Sequence, residues 1–346
     1  MKEIIKNTIS NKKLGQTLNF LFIALLFYVL IKFLSASGTL NMYWQRVLDQ
    51  ALITTVGALG LSLIYGFTGQ FSLGHAAFFG LGAYTAGFLT KLLGYGGFGH
   101  LFMVMILGAA IAALVSMLIG IPILRLRSDY LGIATLGFGI IVKVGMDNSD
   151  RLHPILGGAT GMTGVAQVAT FDLIFVVFVL SILLVRNFIT SAYGRACVAI
   201  REDEIAADVM GINTTRCKSL AFIIGCALAG LAGTLFAHRY PLLHPTSFDF
   251  LKSFDFLLIV VIGGLGSMSG TVAVAICWVF LLEGLRFVLG QDFVDWRGVI
   301  YALILIITIL LRPQGLFGGK ELKLLVPQTT VKNLPGKEGT HASLRS

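Results

Sequence analysis

The stretch Leu173-Ile-Phe-Val-Val-Phe-Val-Leu-Ser-Ile-Leu-Leu-Val185 is apolar at every position but Ser181, without alternation of polar and apolar residues. A strand of a membrane barrel would alternate with period two over about 10 residues. Lipid offers the backbone no hydrogen-bond partners, so a membrane segment must be a helix or part of a closed barrel. This one reads as a helix. Working outward, the chain holds further stretches near the roughly 20 apolar residues that a bilayer core about 30 Å thick requires. The candidate spans are 16–35, 48–66, 73–90, 101–124, 130–146, 171–188, 217–238, 254–268, 270–289 and 298–311. Those at 73–90, 130–146 and 254–268 are short or interrupted by glycine, as expected of re-entrant or broken helices that line a cavity. Of the 346 residues, 56% are hydrophobic and 12% charged, against about 25% charged in soluble domains. The fold class is therefore an all-α integral membrane protein of about ten transmembrane or re-entrant helices. A soluble globular domain is excluded.

The net charge of +9 does not gather on one face, so it does not point to nucleic acid. The basic residues sit between apolar runs, where they report topology. Alternation from an inside N-terminus puts 1–15, 67–72, 125–129, 189–216 and 312–346 on the cytoplasmic side. These hold 15 Lys and Arg residues, including Lys12, Arg125, Arg127, Arg201 and Arg312. The opposite segments hold six: Arg46, Lys91, Arg151, Arg239, Lys252 and Arg297. Both termini are expected in the cytoplasm. Residues 1–15 form a cytoplasmic segment, 16–318 the membrane domain and 319–346 a polar, disordered tail. Ser35-Ala36-Ser37 after the run Phe20–Leu34 resembles a signal-peptidase site, but an uncleaved first span fits a chain inserted throughout. Cys197, Cys217, Cys226 and Cys277 lack metal-type spacing and read as small apolar residues or free thiols. No metal site is expected.

The longest inside segment, 189–216, is the most informative polar stretch. It reads as two helices, one from about Gly194 and one across Glu202–Met210 with acidic residues favouring its N-terminal end. Gly211 stops the second helix, with Asn213 beyond it. Ala206, Ala207 and Gly211 would form a small-residue surface that another protein can approach. A solvated surface helix is the alternative.

Glu204-x-Ala206-Ala207-x-x-x-Gly211 resembles the EAA loop of bacterial ABC importers, which docks into a groove of the ATPase subunit. The surrounding text, from Gly194-Arg195 through Ala199-Ile200-Arg201-Glu202-Asp203, resembles the permease subunits of branched-chain amino acid importers of the LivM type. Tyr65-Gly-Phe-Thr-Gly69-Gln70-Phe-Ser72-Leu-Gly74-His75, Asp129-Tyr130 through Thr135-Leu-Gly137-Phe-Gly139, Ile262-Gly263-Gly264-Leu-Gly266-Ser267 and Leu311-Arg312-Pro313-Gln314-Gly315 agree with it, in order, across most of 50–318. Two places depart from the family pattern. The segment after the fifth span reads Gly157-Gly158-Ala159-Thr160-Gly161 where Gly-Gly-Pro-Asn-Gly is usual, and Ile140 follows Gly139 where the family commonly has an acid.

The resemblance implies a permease of the type II-like ABC importer fold with an inverted repeat. It would pair with a second homologous permease, two ABC ATPase subunits and an external substrate-binding protein in the bacterial inner membrane. It implies an ATPase-coupling role for Arg201, Glu202, Asp203, Glu204, Ala206, Ala207 and Gly211. It also implies a translocation path along Gly69, Gln70, Ser72, Gly74, His75, Thr135, Gly137, Gly263, Gly264, Gly266 and Ser267. Cargo would be a branched-chain amino acid, though similar permeases carry urea, short amides or other hydrophobic amino acids. This chain has no Walker A sequence, so ATP and Mg would be used by the partner ATPases and no cofactor by this chain. No catalytic set is present, and an enzyme is not expected.

The glycines around Gln70 and between spans eight and nine also have a reading of their own. Each is a short span, a glycine break and another helix, as in repeats that form a path. Close packing through small residues is the competing account. His75 reads either as a functional polar group or as a histidine bonded to a backbone carbonyl. Lys143 can snorkel to an interface, and Glu283 can pair with Arg286 on one helix face. An ion-coupled transporter would need intramembrane acids, of which this reading finds Glu283 alone.

Overall fold

A computed structural model describes residues 2–38, 40–94, 97–124, 128–290, 293–312, 314–318 and 321. Its helices are α1 (Lys2–Ala36), α2 (Met42–Leu61), α3 (His75–Leu93), α4 (Phe98–Ile123), α5 (Ser128–Asp147), α6 (Phe171–Thr190), α7 (Ala192–Glu202), α8 (Glu204–Val209), α9 (Thr214–Ala237), α10 (Phe250–Gly263), α11 (Met268–Leu289) and α12 (Phe293–Leu311). A π-helical turn, Ser62–Phe67, prolongs α2. Among the described residues, eight helical segments are long and apolar enough to cross a membrane. They match eight of the ten expected spans, including 73–90 and 130–146, which are continuous helices. The last span is the shorter apolar helix Gly298–Leu311.

The eighth span needs correction. Expected at 254–268, it is a 14-residue helix that starts at Phe250 and ends at Gly263. Gly264 and Gly266 follow with φ of +104° and +80°, a region that only glycine enters freely. At 1.5 Å per residue α10 is about 21 Å long, too short to cross the hydrocarbon core alone.

α2 lies at the centre, with 94% of its most apolar window buried, whereas α1 lies at the periphery with 11%. α9 packs against α2, α3 and α4, meeting Gly60 of α2 through Gly225 and the other two helices through Ala229-Gly230-Leu231-Ala232-Gly233-Thr234. A methyl group on Gly233 would come within 1.9 Å of the Phe79 carbonyl oxygen on α3, and one on Gly230 within 2.4 Å of Ala112 on α4. Membrane helices lack a hydrophobic drive to associate, and such close backbone approach supplies the attraction instead.

The segments that the charge pattern groups on one side meet at one end of the bundle, the near end. Arg186 at the end of α6 donates to Thr17 at 3.0 Å, Arg201 at the end of α7 donates to the carbonyl of Gly66, and the Leu316 amide donates to the carbonyl of Ile262 at 2.8 Å. Residues 125–127, placed with this group, lie outside the described residues. So does the expected disordered tail 319–346, apart from Glu321. At the far end β1 (Met162–Thr163) and β2 (Leu242–Leu243) pair antiparallel, Met162 opposite Leu243. In the segment where Ala159 and Thr160 depart from the usual pattern, the flanking Gly157, Gly158 and Gly161 all have positive φ.

Candidate coupling and translocation site

Polar segments 189–216 fold as two helices, as expected, with the junction at Asp203. Its carboxylate caps α8 by accepting from the amides of Ile205 (2.9 Å) and Ala206 (3.0 Å). Gly211, at φ +83°, ends the turn after α8, and Asn213 caps α9 by accepting from the Arg216 amide. The small-residue surface is only partly as expected: Ala206 and Gly211 are exposed, but Ala207 is buried. It turns inward because the α8 helix, anchored by its cap, places one face on the bundle. The outward face carries Ile205, Val209 and Met210, which are 78%, 82% and 81% exposed. Period-3.6 reading of so short a helix could not separate these faces, and the three apolar side chains were missed.

Arg201 is the junction between this segment and the membrane helices. Its Nη1 donates to the Gly66 carbonyl at 2.7 Å, and its Nη2 and Nε donate to Glu202 at 2.7 and 3.3 Å. A Cβ on Gly69 would lie 3.0 Å from the Arg201 Cγ, and one on Gly266 would lie 2.3 Å from its Nη1. One guanidinium therefore touches both glycine breaks, which are almost 200 residues apart in sequence. Glycine at these positions leaves room for it.

Beside Arg201, a cavity of about 270 Å³ is lined by Gln70, Leu131, Glu202, Asp203, Glu204 and Lys218 among others. Glu204 pairs with Lys218 at 2.5 Å, and Gln70 donates to the Lys218 carbonyl at 3.1 Å while its own side-chain oxygen is buried without a partner. Lys218 had no distinguishing signal in the sequence. Its role follows from where the turn after α8 brings the start of α9.

Above Gln70 the chain runs without helix to His75. Thr135 of α5 clamps it, accepting from the Leu73 amide at 3.0 Å, and a Cβ on Gly74 would lie 2.2 Å from the Thr135 carbonyl oxygen. Ser72 is buried with its hydroxyl unpartnered. The His75 ring nitrogen Nε2 lies 2.9 Å from the Gly57 carbonyl oxygen, the carbonyl-bonded arrangement considered above. Ser253 of α10 accepts from the Ala76 amide at 3.0 Å. Gly137 stands apart, with open space where a Cβ would be. Gly263 packs on Gly270, and Ser267 caps α11 by accepting from the Gly270 amide.

The segment after α12 straps this second break. Gly315 sits on Gly264, Leu316 and Phe317 donate to the carbonyls of Ile262 and Gly263, and the Glu321 carboxylate accepts from the amide of Ser269 at 3.1 Å and its hydroxyl at 2.9 Å. Burial raises the Glu321 carboxyl above its ordinary value, outweighing the donors that favour its charged form.

Two pairs of charges lie along single helices: Glu283 and Arg286 are 3.6 Å apart, as their spacing implies, and Lys143, expected to reach an interface, lies 2.7 Å from Asp147. The reading of Glu283 as the sole intramembrane acid is corrected: Asp49 of α2 and Asp255 of α10 are both about 1% exposed, paired with Arg239 at 2.5 Å and Lys252 at 3.4 Å. Both lie near helix starts, where sequence alone does not separate a buried turn from a loop. Among the described residues no group of His, Cys, Asp or Glu could hold a metal ion.

Residues 43–309 match the family described as "Branched-chain amino acid transport system / permease component". The high-affinity branched-chain amino acid transport permease LivM of Escherichia coli (strain K12) is 32% identical, over 91% of this chain and 77% of its own length. The permease BraD of Pseudomonas aeruginosa is 29% identical over 77% of this chain and 92% of its length, and LivH of Escherichia coli (strain K12) 25% over 77% and 91%. No solved structure matches the chain. This chain, a multi-pass bundle whose two glycine breaks close on Arg201, belongs to the permease family of branched-chain amino acid transport systems.

Proposed function

We propose that the chain forms half of the transmembrane channel of an ATP-driven importer for branched-chain or other hydrophobic amino acids. It is seated in the bacterial cytoplasmic membrane with its near end and both termini inside. A second homologous permease, two ATPase subunits and an external binding protein complete the assembly, and ATP with its Mg is used by the ATPases.

The observation that carries this reading is the contact of Arg201 with Gly66 and Gly266. A push on α8 from an ATPase reaches Arg201 through the short α7–α8 junction and moves both breaks together, tilting α3 and α11. This is a bistable element of the kind alternating access requires. The buried acids support this reading over ion coupling, since each is paired with a cation of its own chain.

Copurification of the tagged chain from its native membrane, followed by reconstitution, tests the proposal. Recovery of Walker-containing ATPases and a second permease, with ATP-dependent leucine uptake in vesicles, is expected. Recovery of the chain alone, active without ATP, would overturn it.

A further inference from the structure

We propose that the cavity where α3 begins, between α5 and the start of α10, is a transit site for a zwitterionic amino acid with an apolar side chain. This deepens the importer reading and rests on it. The cavity holds about 140 Å³, below the 300–1,000 Å³ of drug-sized ligand pockets and in the range of one small amino acid. Leu73, Ile140 and Phe250 give it apolar walls, and Lys143, Asp249 and Ser253 supply its polar groups.

Its depth suits a path. Ser253 is ten residues before the Gly263 end of α10 and Ala77, also on its wall, is sixteen before the end of α3. At 1.5 Å per residue the cavity lies about 15 Å from the near-end break and about 24 Å from the far end of α3. That is inside the membrane, at the level where α3 and α10 both begin, and next to the irregular segment 70–74, whose Leu73 lines it.

The charges match both ends of the cargo. Lys143 on α5 faces the cavity as a cation, and Asp249 at the start of α10 faces it as an anion, so an amino acid's carboxylate and ammonium each meet an opposite charge on a different element. Neither group is free: Lys143 holds Asp147 at 2.7 Å, and Asp249 caps α10, accepting from the Lys252 amide at 3.4 Å. A carboxylate has acceptor sites to spare and an ammonium has three donors, so cargo shares these groups and is held weakly. The apolar walls then take the side chain. Urea or a neutral amide would use neither charge.

The test uses the full importer with its ATPases and binding protein in vesicles, measuring labelled L-leucine uptake at fixed loaded binding protein. Lys143→Met and Asp249→Asn are each expected to lower uptake roughly tenfold, the loss of one charge-assisted hydrogen bond, and Lys143→Arg to retain most of it. Asp147→Asn, which leaves the cation in place, is expected to stay within about twofold of wild type. Equal losses in Lys143→Met and Asp147→Asn would reduce Lys143 to a support for α5 and overturn the site. Normal leucine uptake by both charge variants would overturn the site and leave the importer standing. A wild-type importer that carries urea and no amino acid would overturn both. Should the charge variants fail to assemble, Ile140→Cys decides: labelling by a water-soluble thiosulfonate, slowed by leucine, supports the site, and no labelling overturns it.

Discussion

Arg201 shows how much one side chain can join. Its guanidinium holds the Gly66 carbonyl and fills the space over Gly266, so the two breaks feel any movement of α7. Gly266→Ala would place a methyl 2.3 Å from Nη1 at a φ of +80°. The flexible guanidinium gives way first, and the backbone strain adds about 1 kcal/mol. Transport is expected to fall while the complex still assembles, and the loss should be much smaller in an Arg201→Ala background, a double-mutant cycle that isolates the contact. Cys197 is the opposite kind of residue. Burial raises its thiol to about 11, and it is expected to resist maleimide at pH 7.5 in the folded protein and react after denaturation.

At the scale of elements, α8 follows Arg201 directly in the chain, and the strap after α12 covers the second glycine break. α8 offers Ile205, Val209 and Met210 to solvent, an apolar knob more suited to a protein groove than to water. Met210→Asp is expected to weaken copurification of the ATPase without loss of the permease from the membrane; undiminished copurification would argue against docking there. Gly211→Val should damage coupling too, through its φ of +83°. The strap has a pH dependence with a definite sign. Glu321 is held above its ordinary value by burial, so its favourable contribution is complete below the usual carboxylate range and declines as pH rises through the raised value. Hydrogen exchange at Leu316 and Phe317, corrected for intrinsic rates, should therefore be better protected at pH 5 than at pH 8, and Glu321→Gln should remove the difference.

Across the whole molecule, the bundle depends on close approach around α9 and on ion pairs at the far end. Gly233→Val would drive a side chain into the Phe79 carbonyl, backbone that cannot yield, and is expected to abolish stable assembly as read by size-exclusion chromatography of the detergent extract. Arg239→Ala would leave the Asp49 carboxylate buried and unpaired, a loss of about 3–5 kcal/mol, visible as a lower unfolding temperature. Much of this architecture was legible in the chain. The spans follow from runs such as 173–185, their order from turns between them, and the two halves of 189–216 from Gly211 and the acidic cluster. The glycine break itself was legible, but the end of the eighth span was placed too late, at 268, because apolar residues continue past Gly263 and the positive φ of Gly264 stops the helix.

The sequence by itself determined that this is a helical membrane protein and which residues form its breaks, since hydropathy and glycine act locally and at fixed spacing. Family membership was legible in the same local motifs. What only the tertiary structure decided is which of these meet. That Arg201 bridges Gly66 and Gly266, that Glu204 pairs with Lys218 and that Lys143 and Asp249 share a cavity all depend on how helices distant in sequence lie against one another. Those positions are set by packing, by the fit of a glycine beneath a carbonyl or a guanidinium, and no periodicity along the chain encodes it.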